Sequence, residues 1–252
     1  RLNANRAVKP LDAAVIRLPH ISNFTDFMPL EQHELLGVRY VQRARELGRP
    51  DLVILPGTKN TMEDLLWLRQ NGLEAAALKL AHAGTPILGV CGGYQMLGQT
   101  LDDPQGTESG RPMALSGLGL LPTRTVFDAQ KRRMQVRAAA QGELFGGARL
   151  TGYEIHNGRT EVGGAPFCVL EDGTPEGCVN RNVFGTYLHG LFDSGELTGA
   201  LVRMLCARKG ISPTQTQLMS MADYRQQQFD LLADGVRQAL DMGAVYRAIN
   251  TA

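Results

Sequence analysis

Cysteine is scarce in this sequence and forms no recognisable pattern. Cys91, Cys168, Cys178 and Cys206 contain no CxxC pair, and four cysteines in 252 residues are too sparse for a disulfide scaffold. Free thiols in a reducing, cytoplasmic setting are the expectation. An excess of either charge is also missing. Lys and Arg total 26 against 25 Asp and Glu, a formal net charge of +1, so nothing points to an electrostatic nucleic-acid or membrane surface. No apolar run approaches the roughly 20 residues of a membrane helix, and no basic, then apolar, then small-residue signal opens the chain. A GxxxxGK[ST] phosphate loop is absent. "PGTKNT" brings Gly57, Lys59 and Thr61 close together, but without the spacing that wraps backbone N–H groups around phosphates. There are no internal repeats and no low-complexity segments. The partner expected is therefore a small molecule or a protein, with no nucleic acid and no membrane.

With 43% hydrophobic residues, the chain can bury one large α/β core or two small ones. Short apolar runs recur between helical patterns: "AAVIRL" from Ala13, "VRYV" from Val38, "DLVILP" from Asp51 and "PILGV" from Pro86. Between the last two lies "TMEDLLWLRQNGLEAAALKLAHAG", with Thr61 as the expected N-cap and Glu63 and Asp64 in the first turn. Alternation of strand and helix predicts a parallel sheet covered on both faces. Further on, "LGLLPTRTVFD", "RMQVRAAA", "RLTGYEIHNGRTEV" and "FCVLEDG" are broken by Gly, Pro and Asp, which predicts an antiparallel, hairpin-rich addition. Helix returns in "SGELTGALVRMLCARKG", which has a serine start and a glycine end. "ISPTQTQL" reads as a connector. The final "MADYRQQQFDLLADGVRQALDMGAVYRAI" predicts one or two amphipathic helices packed on the domain.

The stretch "PILGVCGGYQMLG" carries the chemistry. A nucleophile at the end of a buried strand, followed by a tight turn into a helix, is pushed out above the sheet edge, and glycine beside it lets a substrate approach. Cys91 is followed by Gly92 and Gly93. The helix start places partial positive charge beside the sulfur, and free backbone N–H groups there can hold an oxyanion. Against this stands the plain alternative of a small buried residue, common for cysteine; the strand, Cys-Gly-Gly and helix context favours the reactive reading. A thiol nucleophile also needs a base. Of the five histidines, His20, His33 and His82 sit where structural or solvated roles are expected. His156 in "GYEIHNGRTE" and His189 in "GTYLHGLF" are better placed, His189 just past a short β-rich run.

"GVCGGYQMLG" together with "GTYLHGLF" resembles the class I, or triad-type, glutamine amidotransferase domain, in the branch found in cobyrinic acid and cobyric acid synthases. The ordered blocks "VIRLPHISNFTDFMPLE", "DLVILPGTKNTMEDLLWLR", "GVCGGYQMLG", "GYEIHNGRT" and "GTYLHGLFD" extend the likeness over nearly the whole chain, to the C-terminal half of cobyric acid synthases. The resemblance implies an α/β, flavodoxin-like fold with a mainly parallel central sheet flanked by helices, an added antiparallel hairpin segment and C-terminal helices. It implies that Cys91 attacks the side-chain amide of glutamine, giving a γ-glutamyl thioester and ammonia, with His189 as acid and base. The loop "LPGTKNT" would supply the second oxyanion donor from the backbone near Gly57 and Thr58, beside the N–H of Gly92. Gln95 matches a glutamine-contacting position of the wider family.

One departure stands out. Triad-type members usually have a carboxylate two residues after the histidine, and here that position is Leu191. His189 then leans on a backbone carbonyl or another acid, and Glu154 and His156 in "GYEIH" are the nearby candidates, Glu154 having a purely structural role as its alternative. Arg132 and Arg133 either bind the substrate carboxylate through their guanidinium forks or belong to a solvated basic run; Arg133 is the one assigned to substrate. Residues 1–252 are expected to form one amidotransferase domain, with a core over about 11–210 and a helical extension over 211–252. Synthases of this branch carry an ATP-binding half in front, so the start at Arg1 without methionine leads to the expectation of an isolated C-terminal domain. ATP and Mg2+ would then belong to the absent half, with no cofactor and no metal in this one. By resemblance, the intact protein amidates the b, d, e and g carboxylates of adenosyl-cobyrinic acid a,c-diamide in cobalamin synthesis, and this chain supplies the ammonia. Two other readings stay open: the glutaminase of another ATP-dependent amide ligase, such as the lipid II amidating type, and a non-catalytic amidotransferase-like scaffold.

Overall fold

Four short apolar strands build the centre of the molecule: β1 (Leu11–Ile16), β2 (Leu36–Val41), β3 (Leu52–Leu55) and β4 (Ile87–Val90). The computed structural model describes residues 9–142, 145–212, 221–241 and 243. Strand side chains alternate between faces, and here they feed two cores. Leu11, Ala13, Val15, Leu52, Ile54, Leu88 and Val90 enter one; Ala14, Ile16, Val53, Leu55 and Ile87 enter the other. Burial on both faces is why β3 and β4 read as continuous apolar runs, while β2 at the sheet edge is half-buried along its middle.

The connections carry a 3₁₀ turn (Phe24–Phe27), α1 (Met28–Gln32) and α2 (Ala44–Leu47), then α3 (Thr61–Gln70) and α4 (Leu73–His82), with α5 (Gly92–Leu97) following β4. The second half adds β5 (Thr100–Asp103), β6 (Met113–Ser116), β7 (Thr123–Ala140), β8 (Arg149–Val162), β9 (Cys168–Leu170), β10 (Pro175–Glu176), β11 (Cys178–Asn180), β12 (Val183–Thr186) and β13 (Leu188–His189), then α6 (Glu196–Lys209) and α7 (Met221–Ala239). The central sheet runs β11-β12-β4-β3-β1-β2. It is parallel from β12 to β2, with β11 antiparallel at one edge. A second sheet runs β10-β9-β7-β5-β6, and β8 pairs with β7 and β13. The hairpin-rich addition is thus a sheet of its own, dominated by the long antiparallel β7–β8 pair. Among the described residues, no helix is long and apolar enough to cross a membrane.

Three local expectations need correction. The long helical stretch after residue 60 is two helices, broken where Gly72 takes a left-handed φ of 69°. Its N-cap is Asn60, whose side chain accepts from the Glu63 N–H, so Thr61 is already the first helical residue. At the start of α6 the cap position is Gly195, and Ser194 instead donates its hydroxyl to the Arg149 carbonyl. The last stretch does form α7, but Phe229, Leu231, Leu232, Val236 and Leu240 are exposed, so these apolar residues are not buried on the domain. Residues 213–220, most of "ISPTQTQL", together with 242 and 244–252, lie outside the described residues.

The β4–α5 turn is the tightest packing point near the site. A Cβ on Gly93 would fall 2.0 Å from the Leu55 carbonyl oxygen and 2.8 Å from that of Pro56. Both are backbone atoms, which cannot rotate away. Gly93→Ala is therefore expected to cost about 3 kcal/mol, the upper end for overpacking, read as a lower urea midpoint at unchanged slope. A loss below about 0.5 kcal/mol, the scatter of neutral surface changes, would show that the α5 start is not seated on β3 as described.

Candidate active site

The order β12-β4-β3 decides what meets at this turn. Ligands in open α/β sheets bind beyond the carboxyl ends of the strands, and there Cys91 follows β4, the Gly57–Thr58 loop follows β3, and His189 lies just past β12. Cys91 has φ 52° and ψ −111°. That is an uncommon conformation for a residue with a Cβ and typical of a nucleophile on a sharp strand-to-helix turn. Its N–H donates to the Thr186 carbonyl at 2.8 Å and its carbonyl accepts from Gln95 N at 3.0 Å, so both sides of the strained residue are tied down. The side chain is only 8% exposed, with Sγ 3.5 Å from the Ile155 carbonyl.

His189 is buried beside it, and Asp26 answers the question of its orienting group. Nδ1 of His189 lies 2.7 Å from Asp26 Oδ2, while the second carboxylate oxygen accepts from Gly190 N at 3.0 Å. The Asn23 amide nitrogen is 3.1 Å from Nδ1 and 3.2 Å from Nε2, and the Tyr153 ring stacks at 5.3 Å between centroids. Nδ1 is committed to Asp26, and a side-chain hydrogen bond also links the ring to Cys91. Burial disfavours the charged imidazole, but hydrogen bonds and charge from Asp26 and Cys91 outweigh it and push the pKa up to about 9.

Glu154 and His156, the expected orienting residues, are not placed on His189. They pair with each other, Oε1 to Nε2 at 2.7 Å, and Glu154 also holds Arg132 Nε at 3.1 Å. The reason is strand alternation: in the β13–β8 register Tyr153 lies opposite His189 and Glu154 opposite Leu188, which sends Glu154 to the other face. His156 stacks on Tyr187 at 3.6 Å. The same alternation splits the arginine pair. Arg133 lines the cavity of about 630 Å³ that contains Cys91 and His189, whereas Arg132 lines a neighbouring one.

The oxyanion loop sits against the elbow. An added Cβ on Gly92 would be 2.6 Å from Thr58 Cγ2 and 3.3 Å from Thr58 N; one on Gly57 would be 3.1 Å from His189 Cε1 and 3.7 Å from Cys91 Cβ. Thr58 forms an isolated antiparallel bridge with Ile21, carried by Lys59 N to His20 O at 3.0 Å and Ser22 N to Gly57 O at 2.9 Å. In such a pair the bridged residue's own N–H points away from the partner strand, which leaves the Thr58 N–H for a ligand. Gln95 is buried and fully engaged: Oε1 accepts from Thr61 Oγ1 at 3.0 Å, and Nε2 donates to the Asn157 carbonyl at 3.1 Å and Tyr187 Oη at 3.2 Å. Glu108 joins this wall, accepting from Thr61 N at 2.6 Å, and burial raises its pKa.

Comparison with known proteins agrees with this geometry. A model of the CobB/CobQ-like glutamine amidotransferase domain matches residues 12–197. The chain belongs to that family. It is 43% identical over 253 residues to the cobyric acid synthase of Ruminiclostridium cellulolyticum, covering 95% of this chain and 49% of the relative. It is 45% identical over 251 residues to that of Salmonella arizonae, covering 94% and 49%. The chain thus spans about half the length of the curated relatives it matches. Among solved structures, it is similar in fold to PurLQS from Thermotoga maritima, with a TM-score of 0.59 at 18% identity over 79% of this chain and 99% of that one. A second glutamine amidotransferase structure gives a TM-score of 0.54 at 18% identity, again over 79% and 99%. These likenesses bear out the α/β, mainly parallel architecture of a class I amidotransferase domain.

Sequence reasoning missed Asp26, Asn23 and Glu108. A signal for Asp26 existed: it is an acid set in "NFTDFM", where a buried carboxylate requires a partner. The raised His189 pKa has a stability consequence. Its ordinary value is 6.5 and its folded value about 9, so the stabilisation is complete below about pH 6.5 and is lost as pH rises through about 9. The urea midpoint is expected to fall across that window. In Asp26→Asn the fall should flatten, with the imidazole titrating at lower pH by NMR; an unchanged titration would exclude Asp26 as the orienting group.

Proposed function

We propose that the chain is the glutaminase half of a cobyric acid synthase. It would hydrolyse glutamine and supply ammonia for ATP-dependent amidation of the b, d, e and g carboxylates of adenosyl-cobyrinic acid a,c-diamide in cobalamin synthesis. The glutaminase step is supported by Cys91 on its strained elbow beside a His189 held by Asp26 at 2.7 Å, and the synthase assignment by the 43–45% identity to cobyric acid synthases. ATP and Mg2+ would be bound by a synthetase half of the same polypeptide, and the setting would be the cytoplasm.

His189, charged at neutral pH by its raised pKa, already holds the proton of the Cys91 thiol, Asp26 stabilises the imidazolium, and sulfur attacks the γ-amide carbonyl carbon. The tetrahedral oxyanion is held by the N–H groups of Thr58 and Gly92. Collapse breaks the C–N bond as His189 returns the proton to the leaving nitrogen, so ammonia departs and a γ-glutamyl thioester remains. Water, deprotonated by His189, then releases glutamate and restores the thiol. Arg133 is a cation for the α-carboxylate and Glu108 a carboxylate for the α-ammonium, both lining the cavity. Gln95, with its amide spent on Thr61, Asn157 and Tyr187, shapes the wall against which the substrate side chain lies.

Glutamate release from glutamine should fall by on the order of 10³-fold or more in Cys91→Ser, since the nucleophile and its base act as a unit. Equal rates in both proteins would end the nucleophile assignment. Asp26→Asn should lower kcat by about 10²-fold, the lower range for general acid–base contributions. Glu108→Gln should raise KM for glutamine with kcat little changed, the pattern for loss of uniform binding. A Glu108→Gln protein that matches the parent in both constants would remove it from the substrate site.

A further inference from the structure

Asp64 is fully buried, with 0% of its side chain exposed, yet the catalytic steps do not use it. Its carboxylate accepts the Thr58 hydroxyl, the His20 ring at Nδ1 (2.8 Å) and the His20 backbone N–H, 3.2 Å from Oδ2. All these partners lie on the loops that frame Cys91. His20 also accepts on its carbonyl from Lys59 N at 3.0 Å, with Thr58 Oγ1 3.2 Å from the same oxygen. One carboxylate, fixed in the first turn of α3, therefore holds both strands of the bridge that turns the Thr58 N–H away from Ile21.

A buried carboxylate is costly unless its hydrogen bonds are made, and here they are made by the loop whose peptide must stay aimed. The aim is narrow on the other side as well, because Thr58 Cγ2 already touches the space where a Gly92 Cβ would sit. We propose that Asp64 and His20 form a latch that positions the Thr58 N–H as an oxyanion donor, so that Asp64 is a positioning residue for the tetrahedral intermediate. The latch rests on the glutaminase reading above. It acts on the transition state through Thr58 and touches no reacting atom.

Three substitutions test it: Asp64→Asn, His20→Ala and Thr58→Val. His20 is half-exposed, so its removal should spare the fold even if the buried Asp64 variant fails to fold. Each soluble variant is expected to lose about 10- to 100-fold in kcat, the scale of a small misplacement of a catalytic group, with KM within about 3-fold, the split for an interaction made only in the transition state. The aldehyde analogue of glutamine adds Cys91 to its carbonyl and forms a tetrahedral hemithioacetal oxyanion, so its affinity should fall by the same factor. Alkylation of Cys91 by iodoacetamide, which develops no oxyanion, should keep its parent rate. Unchanged aldehyde affinity in His20→Ala and Thr58→Val would overturn the latch while leaving the nucleophile intact. Alkylation slowed by the same factor as kcat would also overturn it, since the site as a whole would then have loosened. Absence of an aldehyde adduct on Cys91 in the unsubstituted protein would sink the glutaminase reading itself, and the latch with it.

Discussion

Asp26 and His189 are separated by 163 positions in the chain and by 2.7 Å in space, and this contact organises the site. One carboxylate oxygen holds the imidazole and the other holds the Gly190 N–H, so ring and backbone are fixed by the same group. A bidentate grip of this kind orients as well as charges its partner. Without it, a buried imidazole would be neutral by preference, because burial opposes its charged form. The pair also ties the loop after β1 to the segment after β12, two segments that flank the cysteine from opposite sides.

The sheet makes that meeting possible. Parallel strands put all their carboxyl ends at one edge, and the order β12-β4-β3-β1 lines up His189, Cys91, the Gly57–Thr58 loop and the Asp26 turn along it. Sequence order would not: the cysteine lies mid-chain, the base nearly 100 residues later and the carboxylate far before both. The second sheet supplies the remaining wall. β8 runs past the site with Tyr153 stacked on His189 and the Ile155 carbonyl near Cys91 Sγ, while the Asn157 carbonyl fixes Gln95. The addition that the sequence shows only as Gly-broken strands is therefore part of the wall around Cys91 and His189.

The legible part of the fold followed from periodicity and local turn chemistry. Strands β3 and β4 were legible because burial on both faces leaves uninterrupted apolar runs. The Cys91 elbow was legible because Cys-Gly-Gly between such a run and a helix suits a sharp turn in which backbone packs on backbone. The break at Gly72 was hidden by apolar spacing that continues across it, since a left-handed glycine leaves no mark in a hydrophobic pattern. Glu154 was misplaced for a different reason. Closeness to His156 in sequence says nothing about which face of β8 a residue occupies, and that face depends on the register with β13, a long-range pairing. The exposed apolar side chains of α7 show the same limit: an amphipathic pattern declares a face to be covered without naming what covers it.

The missing carboxylate two positions after His189 has a structural cause. The chain turns at Gly190 with φ 68° and carries Leu191 into the core, where it is 0% exposed. A carboxylate there would have to leave water for an apolar cluster, a cost that an ion pair with one histidine need not repay. The same cluster contains Phe27, the residue after Asp26. Phe27 and Leu191 share one core, and their chain neighbours Asp26 and Gly190 meet through the Gly190 N–H and Asp26 Oδ1 at 3.0 Å. The carboxylate at Nδ1 therefore comes from the 3₁₀ turn, on a segment that shares its core with Leu191.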